Sequence, residues 1–202
     1  MSTSSRGPFA FDAIGFVRSS LREKADAPRQ ARAAKDVQGR VEVLPEFVDG
    51  LRDLDAFDHI WLVTVFDQAD GWRSTVLPPR SEVRRGVFAT RAPRRPNPIG
   101  LSVVRLERVE GATLHIRELD MLDGTPVLDI KPYVAWSDAI PDASSGWLSR
   151  PADPGRSYQV EFSELADAQL GWLAEHGEDL RARVARQLEV GPQPHAYRRI
   201  RK

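Results

Sequence analysis

The segment from Arg91 to Gly100 carries residue types suited to recognising an anionic ligand. It contains three arginines, with prolines at 93, 96 and 98. Proline lacks a backbone N–H and fixes φ, so a stiff loop is predicted here instead of a regular strand. A stiff loop presents guanidinium groups to a carboxylate or phosphate with little loss of entropy. The clustering of arginines favours this interpretation over a plain connection between strands.

A second polar segment, Leu119 to Pro126, places two carboxylates three residues apart, at Asp120 and Asp123. Carboxylates at a turn can accept hydrogen bonds from the hydroxyl or amino groups of a ligand. The Asp-Gly-Thr-Pro sequence that begins at Asp123 fits equally well a turn in which Asp123 bonds its own backbone. Both interpretations stay open.

Several kinds of chemistry have no support in the sequence. The chain has no cysteine, which removes disulfides, thiolate nucleophiles and cysteine-ligated metals. The four histidines are scattered without metal-ligand spacing, so no metal site is predicted. No G-x-G pair, Walker loop or G-x-S-x-G elbow is present. No catalytic residue can be assigned from a motif.

Short strands must position the two polar segments. Apolar and alternating runs predict strands at 13–19, 40–44, 60–66, 86–90, 101–109, 113–119 and 127–130. The run at 60–66 is apolar throughout and predicts a buried central strand. Short strands at this spacing, with no long helix between them, predict a mainly β (α+β) fold, a small antiparallel β-barrel. Trp61 and Trp72 are expected to pack in the core.

The C-terminal part is predicted to be a helical appendage. Residues 137–156 are rich in Ser, Pro, Asp and Gly and read as a linker, followed by a strand at 157–162. Ser163 is predicted to N-cap a helix that Gly177 interrupts, with a second helical segment reaching about Val190. A basic extended tail follows. The predicted organisation is a disordered tail at 1–10, a barrel domain at 11–136 and this appendage at 137–202.

Charge is distributed in blocks, although 29 basic and 29 acidic residues give a net charge of zero. Residues 72–117 carry 10 basic and 3 acidic side chains, and residues 180–202 carry 7 and 1. The intervening residues 118–179 carry 3 and 13. A polyanion responds to local patches and not to the sum, so a nucleic-acid partner stays possible. A solvated surface of uneven charge is the alternative.

The longest apolar run is far too short to span a membrane, and the N-terminus lacks the apolar centre of a signal peptide. A cytoplasmic protein without membrane association is therefore expected.

Six motifs together resemble the TsaA-like proteins, also called the TrmO family. Their order and spacing agree over about residues 11–135. The motifs stand at 14–19 (IGFVRS), 28–30 (PRQ), 54–61 (LDAFDHIW), 86–91 (GVFATR), 95–100 (RPNPIG) and 119–133 (LDMLDGTPVLDIKPY).

The resemblance implies a specific activity. Members of this family are S-adenosylmethionine-dependent methyltransferases built on a small β-barrel, and they form homodimers with the cofactor near the subunit interface. Their characterised activity is N6-methylation of threonylcarbamoyladenosine at tRNA position 37. The resemblance thus implies S-adenosyl-L-methionine as cofactor and tRNA as substrate.

The resemblance also implies the cofactor-binding residues. Arg91 would pair with the methionine carboxylate of the cofactor, and Asp120 would accept from its amino group or ribose. Main-chain groups near Phe66 and Leu119 would recognise the adenine. The full set is Gln30, Ala31, Arg32, Phe66, Asp67, Gln68, Arg91, Glu118, Leu119, Asp120 and Met121.

Two other functions remain open from the sequence. One is a methyltransferase that acts on a small molecule or another RNA. The other is a sensor or assembly protein that binds S-adenosylmethionine without turnover. The C-terminal Pro194-His195-Ala196-Tyr197-Arg198 resembles only loosely an element that longer members continue past.

Overall fold

The computed structural model describes residues 8–23, 37–78, 81, 83–148 and 158–189. The chain divides into two compact units, Met1–Val76 with Gly86–Ala139, and Leu77–Arg85 with Ile140–Lys202. Over the described ranges no helix is long and apolar enough to cross a membrane.

The first unit is a closed barrel of six antiparallel strands. The strands are β1 (Gly15–Ser19), β2 (Gln38–Val43), β3 (His59–Val65), β6 (Ile99–Glu110), β7 (Thr113–Arg117) and β8 (Pro126–Pro132). Around the barrel they follow the order β1, β2, β7, β6, β3 and β8, and each strand is hydrogen-bonded to both of its neighbours. Two short strands, β4 (Thr75–Val76) and β5 (Arg85–Gly86), form a separate two-stranded sheet. The predicted fold class, a mainly β antiparallel barrel with small helical parts, is confirmed.

Alternation of apolar residues fills the interior of the barrel, because successive side chains of a strand point to opposite faces. In β3 the even-numbered positions Ile60, Leu62 and Thr64 are buried, while the odd-numbered positions are half-buried on the outer face. β2 and β7 alternate in the same way, and β1, β6 and β8 also contribute buried residues. The fully buried side chains of the strands are Val17, Val41, Ile60, Leu62, Thr64, Val104, Leu114, Ile116 and Val127.

Strand β6 is long enough to pair with two different partners on opposite edges. Its first half, Ile99 to Arg105, pairs with β3. Its second half, Arg105 to Glu110, pairs with β7, with an irregularity between Leu106 and Arg108. β7 ends at Arg117, opposite Arg105. Along the first half of β6, the edge that does not pair with β3 is therefore unpaired with β7, and the segment after β7 lies beside it.

The second unit contains the predicted helices. Helix α2 (Glu164–Glu175) begins at Ser163, whose hydroxyl accepts a hydrogen bond from the Ala166 N–H at 3.3 Å, so the predicted N-cap is confirmed. It ends before Gly177, which has φ +91°, and α3 (Arg181–Glu189) follows. A short helix, α1 (Ala135–Asp138), precedes this part of the chain.

Two predicted strands are wrong. The described part of 157–162 has no strand. Residues 87–89 form a 3₁₀ turn, and only Gly86 of the predicted 86–90 belongs to a strand. The Val87 carbonyl accepts from the Thr90 N–H and hydroxyl, at 3.1 and 2.8 Å, and these local bonds replace a strand ladder.

The expected burial of the two tryptophans is also corrected. Trp61 occupies an odd-numbered, outward position of β3 and is half-buried. Trp72 is 57% exposed, because the loop that carries it extends beyond the end of β3.

Candidate functional site

The loop after β3 and the loop before β6 meet where β6 begins. The Phe66 N–H donates to the Pro98 carbonyl at 2.7 Å, and the Ala69 N–H donates to the Phe66 carbonyl at 2.9 Å. This second bond closes a turn over the exposed Asp67 and Gln68. A Cβ at Gly100 would lie 2.5 Å from the Thr64 Oγ1 and 3.0 Å from the Phe66 Cζ. Only glycine therefore lets the Phe66 ring pack against β6.

The segment after β7 follows the other edge of β6 and brings Asp120 to Ser102. The Ser102 Oγ donates to the Asp120 Oδ1 at 2.9 Å. Glu118, with φ +61°, turns the chain at the end of β7. Leu119 is fully buried and Met121 is 6% exposed, so these two residues anchor the segment. Asp120, between these two anchors, and Glu118, just before them, are half-buried.

We call residues 87–98 the arginine loop, and its shape depends on Arg95. The Arg95 Nη1 donates to the carbonyls of Val87 and Thr90 at 3.1 and 2.8 Å, and contacts that of Ala92 at 3.4 Å. One of the three arginines therefore holds the loop itself together. Arg91 is exposed, and no hydrogen bond or ion pair of its side chain is found within the described residues.

We call residues 118–126 the aspartate turn, and its second carboxylate has a structural task. The Asp123 Oδ1 accepts from the Ser19 N–H at 3.0 Å, and the Oδ2 accepts from the Arg22 Nη1 at 2.7 Å. The Gly124 N–H donates to the Val17 carbonyl at 2.8 Å. Asp123 thus bonds β1 instead of its own backbone, and only Asp120 of the two carboxylates faces the start of β6.

The predicted site residues fall into three groups. Phe66, Asp67 and Gln68 lie on one side of the start of β6. Glu118, Leu119, Asp120 and Met121 lie on its other side, and Arg91 lies in the loop that enters it. Gln30, Ala31 and Arg32 lie outside the described residues. Cofactor binding by any of them stays a prediction.

The outer wall of the barrel differs electrostatically from the arginine loop, because several of its cations are paired with carboxylates. Glu42 bonds Arg18 at 2.7 Å and Arg40 at 2.9 Å. These hydrogen bonds, that of Arg18 first, lower the pKa of the Glu42 carboxyl. The Glu42 carboxylate in turn raises the pKa of Arg18. Arg117 likewise bonds Glu107. Residues 86–100, by contrast, contain three arginines and no acidic residue.

No group of three or more His, Asp or Glu side chains that could hold a metal ion occurs in the part of the chain that the structure describes. The candidate site is therefore built from one exposed cation, one oriented carboxylate and main-chain groups. Such a set can bind a zwitterionic ligand that carries both a carboxylate and donor groups.

Two residues that position the site, Ser102 and Arg95, have roles that the sequence does not predict. Ser102 orients Asp120, but it lies in a strand without any motif. Arg95 was grouped with the ligand-binding arginines, although its position three to eight residues after several loop carbonyls allows it to bond the loop itself.

Comparison with known proteins identifies the family. The family model for the tRNA-methyltransferase O N-terminal domain matches residues 16–139. The chain belongs to the TrmO family. This match spans all six barrel strands except the first residue of β1, and it includes the arginine loop and the aspartate turn.

Curated relatives of this TrmO family member cover most of its length. The tRNA (adenine(37)-N6)-methyltransferase of Escherichia coli is 39% identical over 95% of this chain and 84% of its own. The putative S-adenosylmethionine-dependent methyltransferase RcsF of Pseudomonas aeruginosa is 48% identical over 87% and 76%. A probable S-adenosyl-L-methionine-binding protein of Pyrococcus abyssi is 47% identical over 78% and 89%.

Solved structures agree with the family assignment. The crystal structure of TrmO from P. aeruginosa matches with a TM-score of 0.71 and 40% identity over 95% of this chain and 84% of that one. A second TrmO crystal structure matches with a TM-score of 0.68 and 43% identity over 91% and 81%.

Proposed function

We propose that this chain is an S-adenosylmethionine-dependent methyltransferase that methylates N6 of adenine 37 in tRNA. The observation that carries the proposal is the 39% identity, over nearly the whole chain, to a tRNA (adenine(37)-N6)-methyltransferase. The geometry at the start of β6 supports it independently, because an exposed guanidinium, an oriented carboxylate and main-chain groups suit the charged end and the ribose of this cofactor.

The residues present fit S-adenosylmethionine in a definable way. Arg91 would bind the carboxylate of the cofactor. Asp120, oriented by the Ser102 hydroxyl at 2.9 Å, would accept from its amino group or from a ribose hydroxyl. The Phe66 N–H is bonded to the Pro98 carbonyl, and the exposed turn that follows, at Asp67 and Gln68, would contact the base through its main chain. When bound, the cofactor supplies a methyl group already activated on a sulfonium.

The protein contributes mainly by positioning. Holding the acceptor nitrogen in line with an activated methyl group converts a bimolecular reaction into an effectively unimolecular one. Proline and the Arg95 bonds fix the arginine loop before any ligand binds, so little ordering entropy is lost on binding. No residue is assigned as the base that receives the N6 proton.

Three finer features rest on the family resemblance and belong to the proposal. The acceptor is the threonylcarbamoyl-modified adenine, the active form is a homodimer, and residues 11–136 form the cofactor domain, with the remainder as an appendage. The cytoplasm is the expected location. Sedimentation of the purified chain would test the dimer.

The decisive experiment is methyl transfer from labelled S-adenosylmethionine. The substrate is tRNA that carries threonylcarbamoyladenosine 37 but lacks the N6 methyl group, compared with the same tRNA unmodified at position 37. We expect label at N6 of the modified tRNA only. Arg91→Ala should reduce transfer at subsaturating cofactor, whereas Arg105→Ala, an exposed arginine farther along β6, should not.

Other results would point to other functions. Label transferred in a cell extract freed of tRNA, with none on tRNA, would indicate a small-molecule substrate. Tight cofactor binding by calorimetry, with no transfer to any fraction, would indicate a binding protein without turnover. Either result would contradict the proposed function.

A further inference from the structure

The loop after β3 and the arginine loop run side by side beyond the barrel. Three main-chain hydrogen bonds join them: Phe66 N–H to the Pro98 carbonyl at 2.7 Å, Arg73 N–H to the Arg94 carbonyl at 3.3 Å, and Val87 N–H to the Ser74 carbonyl at 2.9 Å. The two loops therefore form one continuous surface, residues 66–74 with 87–98, which leads outward from the start of β6. We call it the two-loop surface.

Two large aromatic side chains are exposed on this surface. Trp72 is 57% exposed and Phe88 is 77% exposed. The guanidinium carbon of Arg95 lies over the Phe88 ring, 5.8 Å from its centroid, so one face of that ring makes a cation–π contact. Exposed aromatic rings that are fixed on a stiff loop are suited to stacking with an unpaired base, because every base presents a π face.

The outer part of the surface carries positive charge without local acids. Residues 71–76 and 86–100 together contain four arginines and no Asp or Glu; Asp67 and Asp70 lie in sequence toward the Phe66 end of the surface, and Glu82 lies in sequence between the two segments. Arg95 is used inside its loop, whereas Arg73 and Arg94 are exposed, and among the described residues neither side chain has a hydrogen bond or ion pair. Their side chains are available for phosphates.

Interleaved aromatic rings and cations are the features that bind single-stranded nucleic acid, and not duplex RNA, whose bases are already stacked. Resting on the proposed function, we propose that the two-loop surface binds the unpaired nucleotides of the anticodon loop next to the target adenine. Trp72 and Phe88 stack on bases, and Arg73 and Arg94 contact phosphates. The surface ends at Phe66, beside the candidate cofactor site. An anticodon loop bound on it would therefore lie next to that site.

The test measures binding of the full chain to a fluorescently labelled 17-nucleotide anticodon stem-loop. Trp72→Ala and Phe88→Ala should each weaken binding about tenfold, the loss typical of removing one stacking partner. Trp72→Phe should recover most of that loss. Trp136→Ala is the matched control, because Trp136 is 90% exposed but lies in α1, away from the two loops.

The arginines are tested through salt dependence. Replacing Arg73 and Arg94 together by alanine should reduce the slope of log affinity against log salt by about 1.4, or about 0.7 for each lost phosphate contact with a single strand. Arg105→Ala should leave the slope unchanged. Cofactor affinity measured by calorimetry should not change in any of these variants, because none of them replaces Arg91, Asp120 or Arg95, whose bonds to the loop carbonyls hold the arginine loop.

The outcomes separate this proposal from the proposed function. If the native chain methylates no tRNA, the proposed function fails, and stem-loop binding still tests the surface. If the native chain is active but Trp72→Ala and Phe88→Ala bind the stem-loop as it does, the surface assignment fails. A change of assembly state in these variants, seen by sedimentation with RNA binding retained, would assign the surface to contact with a second copy and would also overturn it.

Discussion

The arginine loop and the aspartate turn lie beside the same end of β6, and each divides its charged residues in the same way. One charged side chain maintains the local structure, Arg95 in the first and Asp123 in the second. Of the other charged residues, Arg91 in the loop and Asp120 in the turn lie at the candidate site. Two like charges close in sequence therefore do not imply two ligand contacts.

The Arg95 and Asp123 side chains differ in how far along the sequence their bonding partners lie. Arg95 bonds carbonyls three to eight residues before it, so its contacts stay within one loop. Asp123 bonds Ser19 and Arg22, more than 100 residues away in sequence, and joins the turn to β1. Loss of Arg95 should therefore affect the site more than the fold, and loss of Asp123 should affect the fold more than the site.

The largest expected effect comes from the unbonded arginine. Arg91→Ala should weaken S-adenosylmethionine binding by about 1.5–3 kcal/mol, about 10- to 150-fold in Kd, because a charge-assisted pair is lost. Calorimetry measures this, with Arg105→Ala as control. The free energy of unfolding should not change, since no hydrogen bond or ion pair of the Arg91 side chain is found within the residues that the structure describes. Unchanged cofactor affinity would mean that the site lies elsewhere.

Asp123→Ala should destabilise the barrel by about 1–3 kcal/mol, because the Ser19 N–H loses its acceptor in a half-buried position. Asp123→Asn keeps an acceptor for that N–H and loses only the exposed pair with Arg22, so it should cost under about 1 kcal/mol. Urea unfolding distinguishes them. Equal losses in the two variants would contradict the role assigned to the Ser19 bond.

Arg95→Ala should have the opposite effect to Asp123→Ala, with a small loss of stability and a clear loss of cofactor affinity. The Val87 carbonyl keeps the bonds from Thr90, so the free energy of unfolding should fall by less than about 1 kcal/mol. The loosened loop must then be ordered on binding, which should weaken the cofactor affinity by about 1 kcal/mol. Calorimetry and hydrogen exchange of the loop measure both effects, with Arg94→Ala as control for cofactor binding. A large loss of stability would remove the contrast with Asp123.

Features with local causes were predictable from the sequence. The Ser163 cap depends on contacts within one helical turn, and the strand at 60–66 depends on a run of apolar, β-branched and aromatic residues. The stiff arginine loop follows from its prolines. Each of these needs only residues that are neighbours in the chain.

Features that depend on strand register were not predictable. Ser102 reaches Asp120 because β7 stops pairing with β6 at Arg105, and the chain after β7 continues along the same edge of β6. The roles of Asp123 and Trp72 likewise depend on where loops lie relative to strands that are distant in sequence. Residue type gave Asp120 and Asp123 the same expected chemistry, and only the fold separated them.

Asp138 is a third carboxylate with a structural role, and like Asp123 it makes a contact that is distant in sequence. The Asp138 Oδ2 accepts from the Val134 N–H at 2.9 Å and from the Trp61 Nε1 at 3.0 Å, so it joins α1 to β3, as Asp123 joins its turn to β1. The bond from Val134 first, and then that from Trp61, holds the pKa of the Asp138 carboxyl below its ordinary value of 3.8.

The sign of the pH dependence follows from that shift. A carboxyl whose pKa is lower in the folded state stabilises the fold above the ordinary pKa, and the effect is lost as pH falls through the folded value. Asp138→Asn should therefore be less stable than the native chain at pH 6, with the difference shrinking toward pH 3. Denaturant unfolding at several pH values, followed by tryptophan fluorescence, measures this, with Asp142→Asn as control. A constant difference from pH 6 to pH 3 would show that the charge of Asp138 does not join α1 to β3.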